Sequence, residues 1–198
     1  MKTAILLSGG VDSIALAFWK QPSVAITINY GQRAAQAEVT AARQVCSEMS
    51  IAHELVSIDC RAIGSGDMAG SAADALAPVS EWWPYRNQLL VTLAAARGIA
   101  LGVDRLLLGS VASDASHTDG TPKFYSAIDA LMRLQEGAVS VEAPAIEMNT
   151  VELVRKSGIP RPLLAWAHSC HTGDLACGGC RGCVKHYEVM DEVYGDAY

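Results

Sequence analysis

A short glycine-rich stretch near the N-terminus has the composition of an anion-binding turn. It reads SGGVDS, follows an apolar run and opens a helical pattern. The unpaired N–H groups and the dipole of a helix's first turn favour negative charge, and glycine lets a ligand approach the backbone. The stretch matches neither G-x-x-x-x-G-K-[ST] nor G-x-G-x-x-G, which excludes the common mononucleotide and dinucleotide loops. The alternative is a tight strand–helix turn capped by Asp12.

Four of the six cysteines form a second cluster, with the spacing C-x6-C-x2-C-x2-C. They are Cys170, Cys177, Cys180 and Cys183. Four thiolates on a compact loop suit tetrahedral zinc, and a tetrathiolate leaves no open position, so the spacing predicts a structural metal. Arg181, Lys185 and His186 could offset its negative charge. An iron–sulfur cluster and free thiols are the alternatives.

A polar loop after the strand predicted at 104–110 is a third candidate site. Ligands of α/β sheets bind beyond the carboxyl ends of strands, which is where Asp114, His117 and Asp119 fall in the sequence. Asp119 could accept a hydrogen bond from an N–H group of such a ligand. Its alternative role is that of a turn residue before Gly120.

The elements that would position these residues alternate between strand and helix. This order predicts an α/β fold, with a parallel sheet covered by helices, over residues 1–165, followed by a cysteine-rich tail over 166–198. Residues 61–80 and 111–125 are expected to be loops. The predicted strands are 3–8, 23–30, 53–59, 104–110 and 139–148. The predicted helices are 11–21, 33–50, 87–103, 126–137 and 149–158, the last with Asn149 as its N-cap and Gly158 just past its end.

Composition and charge narrow the function classes. Apolar residues make up 51% of the 198 residues and charged residues 18%, as in a globular domain. No apolar run is long enough for a membrane span or a secretory signal, so a cytoplasmic protein is expected. The net charge of −6 disfavours nucleic acid as a partner and favours a small-molecule substrate.

The glycine stretch resembles the S-G-G-x-D-S signature of the PP-loop ATP pyrophosphatases, which have a Rossmann-like, adenine nucleotide alpha hydrolase-like fold. Further motifs, YGQR at 30–33, RN at 86–87 and SC at 169–170, resemble the 7-cyano-7-deazaguanine synthase family. The resemblance implies a pyrophosphate site, with magnesium, at Ser8, Gly9, Gly10, Asp12 and Ser13. It places Tyr30, Gly31 and Gln32 near the adenine. It assigns Arg86 and Asn87 to the active cleft, with Asp12 and Ser13 as catalytic partners.

The activity that this resemblance implies is an ATP-dependent ligation. Adenylation makes the carboxylate of 7-carboxy-7-deazaguanine reactive, and amination then gives an amide and finally a nitrile, with AMP as a product. The family also implies a homodimer. The expected ligands are therefore ATP, a deazapurine acid, magnesium and structural zinc.

The sequence departs from the family pattern at residues expected in the substrate pocket. The family's Asp-Cys-Arg-Pro-Glu-Phe stretch reads DGTPKF here, which keeps Asp119 and Phe124 but puts Thr121 and Lys123 at the arginine and glutamate positions. A family lysine is replaced by Thr150. The candidate stand-ins for the missing cations are Lys123, Arg133, Arg155 and Lys156. The substrate candidates are Asp114, His117, Asp119, Lys123 and Phe124.

These departures leave other functions open. The acceptor could be a protein amine, as in synthase-like proteins of antiviral gene clusters. Sulfur transfer to a tRNA base is a further possibility, although the net charge of −6 disfavours it. A non-enzymatic, zinc-bound nucleotide-binding module is the alternative of a different class, and ATP turnover would exclude it.

Overall fold

The computed structural model describes residues 2–195 as five parallel strands between two layers of helices. The strands are β1 (Thr3–Leu6), β2 (Val24–Asn29), β3 (Ala52–Ser57), β4 (Arg105–Leu108) and β5 (Ser140–Glu142). Their order in the sheet is β3-β2-β1-β4-β5, and each neighbouring pair is parallel. The predicted α/β class with a parallel sheet is therefore confirmed.

Helices connect the strands and cover both faces of the sheet. They are α1 (Val11–Lys20), α2 (Ala35–Met49), α3 (Gly66–Ala69), α4 (Arg86–Ala100), α5 (Pro122–Arg133), α6 (Thr150–Ser157), α7 (Arg161–Leu164) and α8 (Arg181–Tyr194). Within residues 2–195, none of them combines the length and the apolar character that crossing a bilayer would need. Short 3₁₀ turns lie at Arg61–Ile63, Ala112–Ser116 and Thr118–Gly120.

Alternate residues of the strands face two separate apolar cores, because side chains along a strand point to opposite faces. On one side Ile5 packs with residues of α1, α2, α6 and α8. On the other side Ala4 packs with residues of α4 and α5. Met190 of α8 is fully buried in the first core, so the C-terminal helix is part of the packed structure.

Several predicted boundaries are correct and others are wrong for identifiable reasons. Asn149 caps α6 in a reciprocal pair with Glu152, and Gly158 follows the helix in the left-handed conformation, as predicted. Helix α5 begins at Pro122 rather than 126, because Thr121 is its N-cap and proline suits the first turn. The strand predicted over 139–148 is confined to Ser140–Glu142. Helix α8 was not predicted.

The strand order creates a crevice between β1 and β4. The chain runs from β1 outward through β2 and β3, then crosses to β4 on the other side of β1, which makes this the topological switch point. Gly109 follows β4 and passes close to α1: a Cβ there would lie 2.8 Å from the Ser13 Cα. The glycine loop between β1 and α1 is thus at the position where such sheets bind ligands. The division into residues 1–165 and 166–198 stays a prediction.

Candidate active site

A cavity of about 950 Å³ opens above the carboxyl ends of β1 and β4. It is bounded by the glycine loop, the start of α4, the loop after β4, the start of α6 and the segment that carries the cysteines. Sequence-predicted residues that line it are Ser8, Gly10, Asp12, Ser13, Tyr30, Arg86, Asn87, Asp114 and His117. Residues far apart in the chain therefore meet at one site.

The two glycines of the loop have different structural roles. Gly9 has a φ of +80°, and a Cβ there would lie 2.6 Å from the Glu38 carbonyl oxygen, so its backbone conformation and packing both require glycine. Gly10 has a φ of −83°, and the nearest atom to its Cβ would be Ser8 Oγ at 3.6 Å. Gly10 lines the cavity, whereas Gly9 does not. The need for a ligand to approach the backbone closely can therefore explain the glycine at position 10 but not the one at position 9.

The first turn of α1 faces the cavity without a side-chain cap. Its N-cap is Gly10, so the alternative that Asp12 caps this helix is wrong. Ser13 Oγ donates to the Gly10 carbonyl oxygen over 3.0 Å and lies 3.1 Å from Ser8 Oγ, and these contacts hold the loop closed. The N–H groups at the start of the helix remain available to an anion.

The carboxylate of Asp12 lies above this helix start and has an unusual environment. Its Oδ2 accepts a hydrogen bond from Lys185 Nζ at 2.9 Å. Among the described residues, its buried Oδ1 and the buried Thr150 Oγ1 make no hydrogen bond of ordinary geometry, although the Thr150 hydroxyl is near enough to Asp12 to lower its pKa. Burial raises the pKa of Asp12, while the Lys185 ammonium opposes the increase. Such an orphaned carboxylate oxygen fits a divalent cation that also binds phosphate.

The segment after β2 brings a second carboxyl group into the cavity. The buried side chain of Gln32 links Tyr30 to Glu38: its Oε1 accepts from Tyr30 N at 3.0 Å, and its Nε2 donates to Glu38 Oε2 at 2.7 Å. Glu38 and Tyr30 line the cavity, whereas Gly31 and Gln32 do not. Burial raises the pKa of Glu38 to about 7, and the Gln32 amide opposes the increase.

Arg86 and Asn87 begin α4 at the opposite wall. Arg86 faces the cavity, and its Nη1 lies 2.9 Å from Met68 Sδ. Asn87 Nδ2 donates to the Asp119 carbonyl oxygen at 2.9 Å, and Asn87 N donates to Asp119 Oδ2 at 3.3 Å. Asp119 therefore holds the start of α4 and is not part of the cavity lining.

The DGTPKF stretch lies mostly outside the cavity. Thr121 Oγ1 accepts from Phe124 N at 3.3 Å and caps α5. Lys123 is exposed, and neither Lys123 nor Phe124 lines the cavity. Asp114 does line it, with Oδ2 accepting from Val111 N at 3.1 Å. Of the substrate candidates, the structure brings only Asp114 and His117 to the site.

The basic residues considered as stand-ins for the missing cations are engaged elsewhere. Arg133 Nε pairs with Asp129 Oδ2 at 2.8 Å. Arg155 Nη1 lies 3.6 Å from Glu192 Oε1, and Lys156 Nζ lies 4.6 Å from the centre of the Trp19 ring. None of these side chains, nor Lys123, is in the cavity lining.

The four clustered cysteines converge at the edge of the cavity. Their sulfur atoms all lie within 4.8 Å of one another, with Cys177–Cys183 at 3.9 Å and Cys170–Cys180 at 4.0 Å. These distances are too long for disulfides. They approach the S–S edge of about 3.8 Å that a tetrahedron with Zn–S bonds of about 2.3 Å would have. The donor set therefore fits one tetrahedral metal ion.

Backbone amides support these sulfurs as metal ligands. Cys180 N donates to Cys177 Sγ at 3.3 Å, and Cys183 N donates to Cys180 Sγ at 3.4 Å. Hydrogen bonds from the Thr172 hydroxyl and from the Gly179 and Cys180 amides lower the pKa of Cys177 to about 5. Burial, by contrast, raises the pKa of Cys183 to about 12, so the convergence of the four sulfur atoms is the observation that supports a metal site.

Sequence reasoning missed three contributions to the cavity. Glu38 falls within an alanine-rich helix, and Lys185 was considered only as a partner of the metal cluster. The third is the segment around Cys170, which crosses the glycine loop: His168 N donates to the Gly9 carbonyl oxygen at 2.9 Å. Burial lowers the pKa of His171, another cavity residue of this segment. Only the fold brings these residues together, although the polarity of Glu38 and Lys185 was a signal available in the sequence.

The sheet order and the SGGVDS loop at its switch point together define the class as a Rossmann-like α/β protein of the PP-loop type. Its fold is similar to that of NMN synthetase from Francisella tularensis, with a TM-score of 0.50 and 17% sequence identity over 98% of this chain and 77% of that one. This likeness concerns the fold alone.

Sequence comparison identifies the family within that class. Residues 2–193 match the family described as queuosine biosynthesis protein QueC, and the chain belongs to this family. The 7-cyano-7-deazaguanine synthase of Desulforudis audaxviator is 32% identical, over 93% of this chain and 94% of the relative. That of Acidobacterium capsulatum is 31% identical (97% and 93%), and that of Chlorobium chlorochromatii is 30% identical (98% and 92%). The similarity spans both the glycine loop and the cysteine cluster.

Proposed function

We propose that this protein uses ATP to convert the carboxylate of 7-carboxy-7-deazaguanine into the nitrile of 7-cyano-7-deazaguanine. The observation that carries the proposal is the uncapped first turn of α1, with Asp12 above it, inside a cavity at the switch point. Relatives matched over nearly the whole chain are named 7-cyano-7-deazaguanine synthases. The anion site supports ATP as a substrate, and the relatives support the identity of the acid.

The reaction needs ATP because hydroxide and oxide are poor leaving groups. A carboxylate oxygen attacks the α-phosphorus of ATP, which forms an acyl-adenylate and releases pyrophosphate. Ammonia attacks the acyl carbon, and AMP leaves with the former carboxylate oxygen to give the amide. A second adenylation, now at the amide oxygen, allows loss of AMP and a proton and leaves the nitrile. Each cycle therefore consumes two ATP.

Residues in different parts of the cavity would bind different parts of the two substrates. The N–H groups at the start of α1 would bind phosphate oxygens, and Tyr30 would lie beside the nucleotide base. The Arg86 guanidinium, on the opposite wall, suits the carboxylate of the acid. Asp114 and His117, in the loop after β4, line the cavity and would bind the edge of the deazaguanine ring. A cavity of about 950 Å³ is at the upper end of the range for small-molecule sites, as two ligands would require.

Two metal ions belong to the proposal. Zinc bound by the four cysteines would have no open position, so it would hold the start of α8 in place and take no part in bond making. Asp12, with its orphaned Oδ1, would hold magnesium, which neutralises phosphate charge when ATP is bound.

Product analysis tests the proposal. The protein is incubated with ATP, magnesium, ammonium and 7-carboxy-7-deazaguanine, and the products are followed by mass spectrometry. We expect AMP and the nitrile, and loss of both in the Asp12→Asn variant. Formation of AMP without the amide or nitrile would show a different acceptor, and a protein amine would then be tested. Absence of acid-dependent AMP formation would contradict the proposed reaction.

A further inference from the structure

Lys185 joins the C-terminal helix to the glycine loop across 173 positions of the sequence. It is the fifth residue of α8, two residues after Cys183. Its Nζ is 2.9 Å from Asp12 Oδ2 and 3.4 Å from Ser113 Oγ. The lysine side chain is 34% exposed and lines the cavity, so its ammonium is accessible to a ligand there.

This ammonium lies above the start of α1, where a cation is unfavourable unless an anion is near. The N-terminus of a helix carries partial positive charge, and the cavity wall here has no side-chain cap. The carboxylate of Asp12 supplies this negative charge, with its Oδ2 2.9 Å from Lys185 Nζ. Phosphate groups entering the loop would bring further negative charge to both the helix start and Lys185.

The first residue of α6 leaves room for this arrangement. Thr150 is buried at the cavity wall, and its hydroxyl is close enough to Asp12 to lower the pKa of that carboxyl group. A long basic side chain at position 150 would compete with Lys185 for the same carboxylate. The other basic residues considered for this role, Lys123, Arg133, Arg155 and Lys156, lie outside the cavity.

We propose that Lys185 supplies the phosphate-binding cation of this nucleotide loop. The ammonium moves from Asp12 to the phosphates when the nucleotide binds, which a flexible four-carbon stem allows, and Asp12 is then available to magnesium. The Lys185 ammonium would stabilise the negative charge that develops on pyrophosphate as the pyrophosphate leaves. The inference rests on the proposed use of ATP, but it assigns the cation to a residue next to the cysteine cluster.

Binding of inorganic pyrophosphate, measured by calorimetry without magnesium, tests this contact separately from turnover. We expect Lys185→Gln to weaken binding about ten- to one-hundred-fold, the range for losing one charged hydrogen bond. Lys185→Arg keeps the charge and should stay within a few-fold of the parent protein. Lys156→Gln is the control, because Lys156 lies over the Trp19 ring outside the cavity. Metal content and thermal stability of each variant verify that the fold is intact.

The same substitution made in the Asp12→Asn variant separates direct contact between Lys185 and phosphate from an effect that acts through Asp12. In Asp12→Asn the carboxylate is absent, so Lys185→Gln should still weaken pyrophosphate binding if the ammonium touches phosphate. An unchanged affinity in this background, or in Lys185→Gln alone, would overturn the proposal. Neither result would affect the proposed synthase reaction, which is measured by acid-dependent product formation. Conversely, if that reaction were absent, the pyrophosphate titration would still report on Lys185.

Discussion

At the scale of single residues, Glu38 shows how the cavity alters the chemistry of a side chain. Its carboxyl group accepts a hydrogen bond from Gln32 and lies in the cavity wall, where burial raises its pKa to about 7. Because the unfolded chain has a pKa near 4.5 at this position, the folded state binds the proton more tightly between these two values. Ionisation of Glu38 therefore opposes folding as pH rises through this interval.

Replacing Glu38 by glutamine should remove this pH dependence. Between pH 5 and 8, the parent protein should lose about 2 kcal/mol of unfolding free energy relative to Glu38→Gln. Urea unfolding at several pH values measures the difference, with Glu48→Gln, an exposed position of the same helix, as the control. Parallel pH profiles for the parent and Glu38→Gln would show that the carboxyl group is not shifted.

The two loop glycines give a matched pair of substitutions. Gly9→Ala places a Cβ against the Glu38 carbonyl oxygen at a positive φ, so we expect a loss of about 2–4 kcal/mol of stability. Gly10→Ala meets no such contact, and only about 1 kcal/mol should be lost at this N-cap. Instead, Gly10→Ala should weaken pyrophosphate binding, because its methyl group enters the cavity. Equal stability of the two variants would contradict this division of roles.

At the scale of elements, the start of α8 depends on the cysteine cluster. Cys180 is the N-cap of this helix, and its sulfur accepts the Cys183 amide. The helix was not predicted. The apolar residues on one of its faces, which include Val189 and Met190, belong to a core formed with residues of α6 and α1 that are distant in the sequence. By contrast, α6 was predicted correctly because both of its ends carry local signals, Asn149 and Gly158.

Removing one thiol should therefore affect both the metal and the helix. We expect Cys177→Ser to reduce the zinc content below the roughly one ion per chain that a tetrathiolate site holds, and to lower the melting temperature. Elemental analysis and circular dichroism measure the two effects. Cys60→Ala, outside the cluster, is the control and should keep its metal. Full metal content in Cys177→Ser would exclude this cysteine as a ligand.

The cap of α6 offers a test that is independent of the metal. Asn149→Ala removes the acceptor of the 2.9 Å hydrogen bond from Glu152 N, while the backbone N–H of residue 149 can still donate to Glu152 Oε2, and the loss should cost about 1 kcal/mol of stability. Because α6 carries Thr150 into the cavity wall, pyrophosphate affinity should fall slightly as well. An unchanged unfolding free energy would show that this cap contributes little.

At the scale of the whole molecule, the sequence predicted the components of the site better than their assembly. Strand–helix alternation, the SGGVDS loop and the cysteine spacing are local patterns. The meeting of Lys185 with Asp12, and of Glu38 with Gly9, depends on the packing of distant elements and has no local signal. Asp119, predicted to contact the substrate, instead accepts hydrogen bonds at the start of α4 and does not line the cavity.

The oligomeric state of the protein stays a prediction. The family resemblance implies a homodimer, and light scattering during size-exclusion chromatography would measure the mass directly. A monomer at the concentrations used for turnover would contradict that expectation without affecting the site within one chain.

Oxygen-18 transfer is the most direct test of the central claim that this protein adenylates a carboxylate. The acid is labelled with oxygen-18 in its carboxyl group and incubated with the protein, ATP, magnesium and ammonium, and the AMP is examined by mass spectrometry. The proposed reaction predicts AMP that carries one labelled oxygen, since this atom leaves with phosphate when ammonia attacks the acyl carbon. Unlabelled AMP, or ADP in its place, would contradict the formation of an acyl-adenylate.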